Sequence, residues 1–83
     1  MTENGGARID KQAARDRATD KSSQILLKIR QSKNLSQAQL AEISGRKQSY
    51  ISRVESKQQN ISLSTLEEIV GSVGGTLHMS IDL

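Results

Sequence analysis

Gln48, Ser49, Ser52, Arg53 and Ser56 are spaced so that, at about 100° per residue, they share one arc of a helix. Ile51 and Val54 fall together on the opposite arc. The polar arc carries an amide, a guanidinium and short hydroxyls, and no carboxylate. A face that serves only solvation more often mixes in Glu or Asp. Short hydroxyls let a helix come close to a base edge. Glutamine offers a paired donor and acceptor to adenine N6 and N7, and arginine a fork of donors to guanine O6 and N7. Reading bases in a DNA groove is the chemistry that this arc suits.

Other chemistries find little support. The chain has no Cys, which removes disulfides and thiolate metal sites. His78 is the only histidine, and it lies on the polar side of a terminal stretch. No carboxylate pair is spaced for acid–base work, and no glycine-rich loop follows a strand. An enzyme is therefore not expected, nor is any cofactor or metal. Tyr50 is the only aromatic, so the core must be built from Leu, Ile and Val, which leaves little for a large pocket. No apolar run approaches the roughly 20 residues of a membrane span, and no signal-peptide core is visible. The expected location is cytoplasmic, with no membrane partner.

The reading helix needs neighbours to position it. Ile25, Leu26 and Ile29 define one face of a first helix, running from near Ser22 to about Ser32 with a stop at Lys33-Asn34. Ser36 and Gln39 form a capping-box pattern that opens a second helix, carried inward by Leu40 and Ile43. It ends at Ser44-Gly45, where Gly45 can adopt the left-handed conformation. The third helix, around Lys47–Glu55, follows at once, flanked by Tyr50. Ser64 to Glu67 is read as a second capping box, opening a fourth helix with Leu66, Ile69, Val70 and Val73 inward. Glu67-Glu68 would then sit in its first turn, favoured by the macrodipole, and Gly74-Gly75 ends it. In the last eight residues Leu77, Met79, Ile81 and Leu83 alternate with polar residues, which is strand spacing. A lone strand leaves its backbone groups unpaired, so the expected partner is the same strand of a second copy across a dimer axis.

Residues 1–21 hold nine charged residues of both signs and little apolar content. They are expected to form a flexible arm able to fold on a partner. The predicted organisation is thus an arm at 1–21, a binding domain at 22–75 and a dimerisation strand at 76–83. Charge is polarised along the chain. From Lys28 to Lys57 seven basic residues face only Glu42 and Glu55, a net +5. From Gln58 onward there is no Lys or Arg, and Glu67, Glu68 and Asp82 give −3. Such a division is an electrostatic footprint for a polyanion on one face.

Two short helices joined by about three residues with a Gly in the turn form a helix-turn-helix. The stretch Ile25 to about Val73 resembles the lambda-repressor-like, Cro/Xre-type helix-turn-helix family. The resemblance lies in Leu35-Ser36-Gln37-Ala38-Gln39-Leu40-Ala41-Glu42, then Ser44-Gly45, then Gln48-Ser49-Tyr50-Ile51-Ser52-Arg53-Val54-Glu55. It implies an all-α fold of four to five short helices. By position it implies that Gln37 bonds a phosphate and helps to orient Gln48, that Gln48, Ser49 and Arg53 face base edges, and that Lys47 and Ser56 touch the backbone. It also implies an ion pair of Arg30 with Glu55 joining the first and third helices. Two departures stand out. Lys57 follows the reading helix where the family usually has Gly, and Arg46 takes a turn position that is often apolar, suggesting a turn wetter or nearer DNA than usual. A four-helix core closed by an intermolecular strand resembles, in architecture alone, the HipB- and HigA-like antitoxins.

The function expected from this reading is sequence-specific binding of double-stranded DNA as a transcriptional regulator. It would act as a dimeric (auto)repressor on a pseudo-palindromic operator, and as the antitoxin of a toxin protein if the antitoxin resemblance holds. The DNA-binding set is Gln37, Lys47, Gln48, Ser49, Ser52, Arg53, Ser56 and Lys57, and the dimer strand is carried by Leu77, Met79 and Ile81. The alternative is a protein-interaction module whose N-terminal arm binds and neutralises a partner, with DNA binding secondary. Substitutions at Gln48, Ser49 and Arg53 separate the two, because only the first needs that face.

Overall fold

The computed structural model describes residues 10–83, which form four helices and, among the described residues, no strand. Helix α1 spans Lys11–Lys33, α2 Gln37–Ser44, α3 Gln48–Glu55 and α4 Leu63–Ser72. Helix α3 lies between α1 and α2, and α4 packs on α2. Their shared interior is Leu26, Leu40, Ala41, Ile51, Val54, Leu66, Ile69 and Val70.

Helix α1 begins at Lys11 rather than near Ser22. Of the stretch expected to form an arm, residues 1–9 lie outside the described ones, and the remainder is helical. Asp10 supplies the reason at the start, accepting from the amides of Gln12 at 3.0 Å and Ala13 at 3.1 Å. From Lys11 to Lys33 there is no Gly or Pro. Once the packed half has nucleated, adding residues to the same helix is cheap. Asn34 takes the left-handed conformation (φ 56°) that closes α1, as its position predicts.

The second helix opens on the expected capping box. The Gln39 amide donates to Ser36 Oγ, and the Ser36 amide donates to Gln39 Oε1. Gly45 at φ 69° ends it. Its buried residues are Leu40 and Ala41, whereas Ile43, expected inside, is 47% exposed. Leu40 already fills the space against α3, and the next turn's inward position falls to Ser44, whose hydroxyl returns to the Leu40 carbonyl. The N-cap of α4 is Ser62, two residues before the expected Ser64. Ser62 Oγ accepts from the Thr65 amide, and Ser64 is bonded to Ser62 instead. Glu67 and Glu68 consequently sit in the second turn. Gly75 closes tightly on α4: a Cβ there would lie 3.1 Å from Val70 Cγ1 and 3.2 Å from its carbonyl oxygen.

The C-terminal β-strand expected at 76–83 is not formed. Leu77 packs against the core, while Met79 and Ile81 are 70% and 79% exposed. Among the described residues there is no neighbouring strand, so ladder hydrogen bonds have no partner there.

Candidate nucleic-acid interface

Helix α3 has eight residues, too few to hold its shape in isolation. Ile51 and Val54 fix its rotation, since both are fully buried. That rotation turns Gln48, Ser49, Arg53 and Ser56 outward, where they are exposed, with Ser52 half-buried at the edge. Lys47 precedes the helix as an N-cap without a side-chain cap bond, and it too is exposed. Among the described residues, the side chains of Lys47, Gln48, Ser49 and Arg53 make no hydrogen bond or ion pair within the chain. Ser56 Oγ donates to the Arg53 carbonyl at 3.2 Å. The expected reading residues are therefore gathered on one face and, apart from Ser56, uncommitted.

The far end of α3 is anchored through Glu55. Its Oε2 lies 3.2 Å from Arg30 Nε, with side chains 7% and 22% exposed. The N–H is not aimed along that line, so the contact is a Coulombic pair rather than an aligned hydrogen bond. Gln37 Nε2 donates to Glu55 Oε1 at 2.9 Å. Gln37, at the start of α2, thus spends its amide on Glu55 in the free protein, not on Gln48. Ser23 Oγ donates to the Glu55 main-chain carbonyl at 2.6 Å, capping one of the last carbonyls of α3 from α1. One residue therefore ties three helices together at the point where α3 ends.

Ser23 is 2% exposed, and sequence reasoning passed over it. The signal lay in its spacing, because Ser22 and Ser23 continue the Leu26–Ile29 face back by three and four residues. Ser22 is buried as well and returns its hydroxyl to the Ala18 carbonyl at 2.9 Å. Small side chains at these positions let α1 lie close to the end of α3.

Lys57 has φ 68°, so the left-handed turn persists although the family's usual glycine is absent. The Gln58 amide reaches back to the Arg53 carbonyl at 2.9 Å across it. Its Nζ lies 3.1 Å from Asp20 Oδ1 of α1. Arg46 does not project into solvent from the turn before α3, because its guanidinium is paired with Glu68 of α4. Asp20 was not singled out from sequence, and Glu68 was read only as charge favoured by the helix dipole, not as a partner of Arg46.

Away from α3, two shallow grooves of about 430 and 540 Å³ flank the C-terminal segment and share Ile25, Leu77 and His78. The first runs along Ile25, Ile29 and Val73, the second along Leu63, Leu66 and Met79. Among the described residues no group of His, Asp or Glu could hold a metal ion. None of their helices is long and apolar enough to cross a membrane.

Residues 26–75 match the model of a helix-turn-helix family. A stretch of 33 residues is 64% identical to the control protein C.SmaI of Serratia marcescens, covering 40% of this chain and 39% of that protein. The match thus spans about two fifths of that relative's length.

Proposed function

The chain belongs to the helix-turn-helix family of Cro/C1 type, and on that footing we propose that it is a sequence-specific regulator of transcription that binds double-stranded DNA, and not an enzyme. The observation that carries this is the outward face of α3: exposed, carboxylate-free, and bearing Gln48 and Arg53 without intramolecular partners among the described residues. The name of the similar protein, a control protein, is in keeping with a regulatory role.

In this reading α3 enters the major groove. Gln48, Ser49 and Arg53 specify bases, with Ser52 at the edge of the face. Lys47, Ser56 and Lys57 set register on the sugar-phosphate backbone. Gln37 meets a phosphate at the start of α2, exchanging or sharing its bond to Glu55. The protein acts as a homodimer, with the exposed, alternating Met79 and Ile81 beside Leu77 as the self-complementary segment. Two reading helices then lie in successive major grooves about 34 Å apart, and the operator is a pseudo-palindrome. Occupying a promoter, its own included, represses it.

A second reading gives the N-terminal stretch a protein partner of the toxin kind, which would make the chain an antitoxin. It is favoured by the first half of α1, which stands largely exposed to solvent and is free to take a partner.

Fluorescence anisotropy on the DNA upstream of the gene, with random DNA as competitor, tests the first reading. Competitor-resistant binding should be lost in the Gln48→Ala/Arg53→Ala protein. Arg53→Ala alone should cost about 1–3 kcal/mol and relax one base pair. Lys47→Ala should weaken binding to all sequences and flatten the salt slope by about 0.9. Weak binding that both variants leave unchanged would make α3 a scaffold element and favour the protein-partner reading.

A further inference from the structure

Two cations bracket the reading helix, and the scaffold holds both with carboxylates. Arg46 before α3 is paired with Glu68 of α4, and Lys57 beyond it with Asp20 of α1. Between them, Lys47 and Arg53 pair with no carboxylate among the described residues. The Lys57 case is the more telling. A lysine at φ 68° is strained where glycine would be relaxed. A strained lysine at the end of a groove-reading helix suits a phosphate contact, yet its ammonium is occupied by Asp20. The two side chains are 56% and 49% exposed, so the pair sits in water. Such a pair is weak and readily exchanged.

We propose that Asp20 competes with DNA phosphate for Lys57 and thereby limits sequence-independent affinity. This rests on the reading of α3 as the DNA-binding helix. When the protein meets an arbitrary duplex, Lys57 can reach a phosphate only by leaving Asp20, and the carboxylate is then left unpaired close to the phosphate's negative charge. Affinity from base contacts is untouched by this exchange, whereas affinity from the backbone is reduced. Asp20, which touches no base, therefore sets how tightly the protein holds any duplex without altering which sequence it prefers.

The experiment is a salt titration of binding to a random-sequence 20-base-pair duplex by wild type, Asp20→Asn, Asp16→Asn, Lys57→Gly and the Asp20→Asn/Lys57→Gly double variant. Circular dichroism checks that each is folded. Asp16 lies one turn earlier on α1 and is bonded to Gln12, so its substitution makes the same change in net charge without touching Lys57. Asp20→Asn should bind about two- to fivefold tighter near 0.1 M salt, with a log–log salt slope steeper by up to about 0.9, one added phosphate contact. Asp16→Asn should change affinity much less. In the Lys57→Gly background, Asp20→Asn should have no effect beyond that of Asp16→Asn. Equal gains from Asp20→Asn and Asp16→Asn would overturn the proposal by reducing it to net charge. So would a gain that survives without Lys57, or no gain at all. A wild-type protein that binds no duplex at any salt overturns the reading of α3 itself, which is a different and recognisable failure.

Discussion

Replacing Glu55 with alanine is the sharpest perturbation of the frame that holds α3. The carboxylate is 7% exposed and Arg30 is 22% exposed, so the substitution leaves a guanidinium mostly shielded from water and without its counter-charge. It also removes the acceptor of Gln37 Nε2. Stranding one member of a buried pair costs about 3–5 kcal/mol. The residual exposure of Arg30 places this case at the lower end, near ~3 kcal/mol. For a domain of this size, whose total stability is on the order of 4–12 kcal/mol, that is a large fraction. It corresponds to a fall of about 12–24 °C in Tm. Ser23 still donates to the main-chain carbonyl at position 55, so α3 should lose its fixed end before its helical shape. Urea denaturation followed by circular dichroism at 222 nm measures the loss. The double change Arg30→Met/Glu55→Met should be milder than Glu55→Ala, since it removes both charges and leaves apolar volume. If Glu55→Ala stays within about 1 kcal/mol of wild type, the pair behaves like a surface contact. The anchoring role of Glu55 would then be wrong.

Lys57→Gly should relieve the strain at φ 68° and raise stability by up to about 1 kcal/mol, less whatever the Asp20 pair contributes, while weakening binding to all duplexes. Thermal melts and anisotropy on the same protein check the two opposite signs. On the proposed dimer reading, wild type should run as a dimer and Met79→Asp/Ile81→Asp as a monomer at unchanged helix content, read by size-exclusion chromatography with light scattering. A dimer that persists would place the interface elsewhere.

The parts of the fold legible in the sequence are those settled within one or two turns of chain. The Ser36–Gln39 capping box, the left-handed Gly45 and the buried pair Ile51/Val54 each depend on residues no more than four apart, and the structure has all of them. The outward face of α3 follows from the same local geometry. What was not legible depends on which distant residues meet. Ser23 bonds to Glu55 across 32 positions and Arg46 to Glu68 across 22, and no periodicity encodes such pairings. At Ser62 and Ser64 two hydroxyls compete for one cap, and composition does not rank them. The first half of α1 reads as an arm because it has nothing to bury, but it is continuous with a half that does. Alternation in the last eight residues is visible, yet a strand needs a neighbour, and the described residues supply none.

The frame that holds α3 and the face that α3 presents are built from different residues. Helix α3 is too short to be stable alone and has no side-chain N-cap bond. Its shape and aim come from Ile51 and Val54 beneath it and from Glu55, Ser23, Arg30 and Gln37 at its end. The side chains of Gln48, Ser49 and Arg53 contribute no hydrogen bond or ion pair to that frame among the described residues. Surface substitutions away from structural contacts usually move stability by no more than about 0.5 kcal/mol. Gln48, Ser49 and Arg53 can therefore be exchanged with little cost to the fold, and on the proposed base-reading role the target sequence can vary while the scaffold stays fixed. The same independence is what makes the Gln48→Ala/Arg53→Ala protein a fair test. Its helix content should match wild type, so that a loss of competitor-resistant binding reports on base reading and not on unfolding.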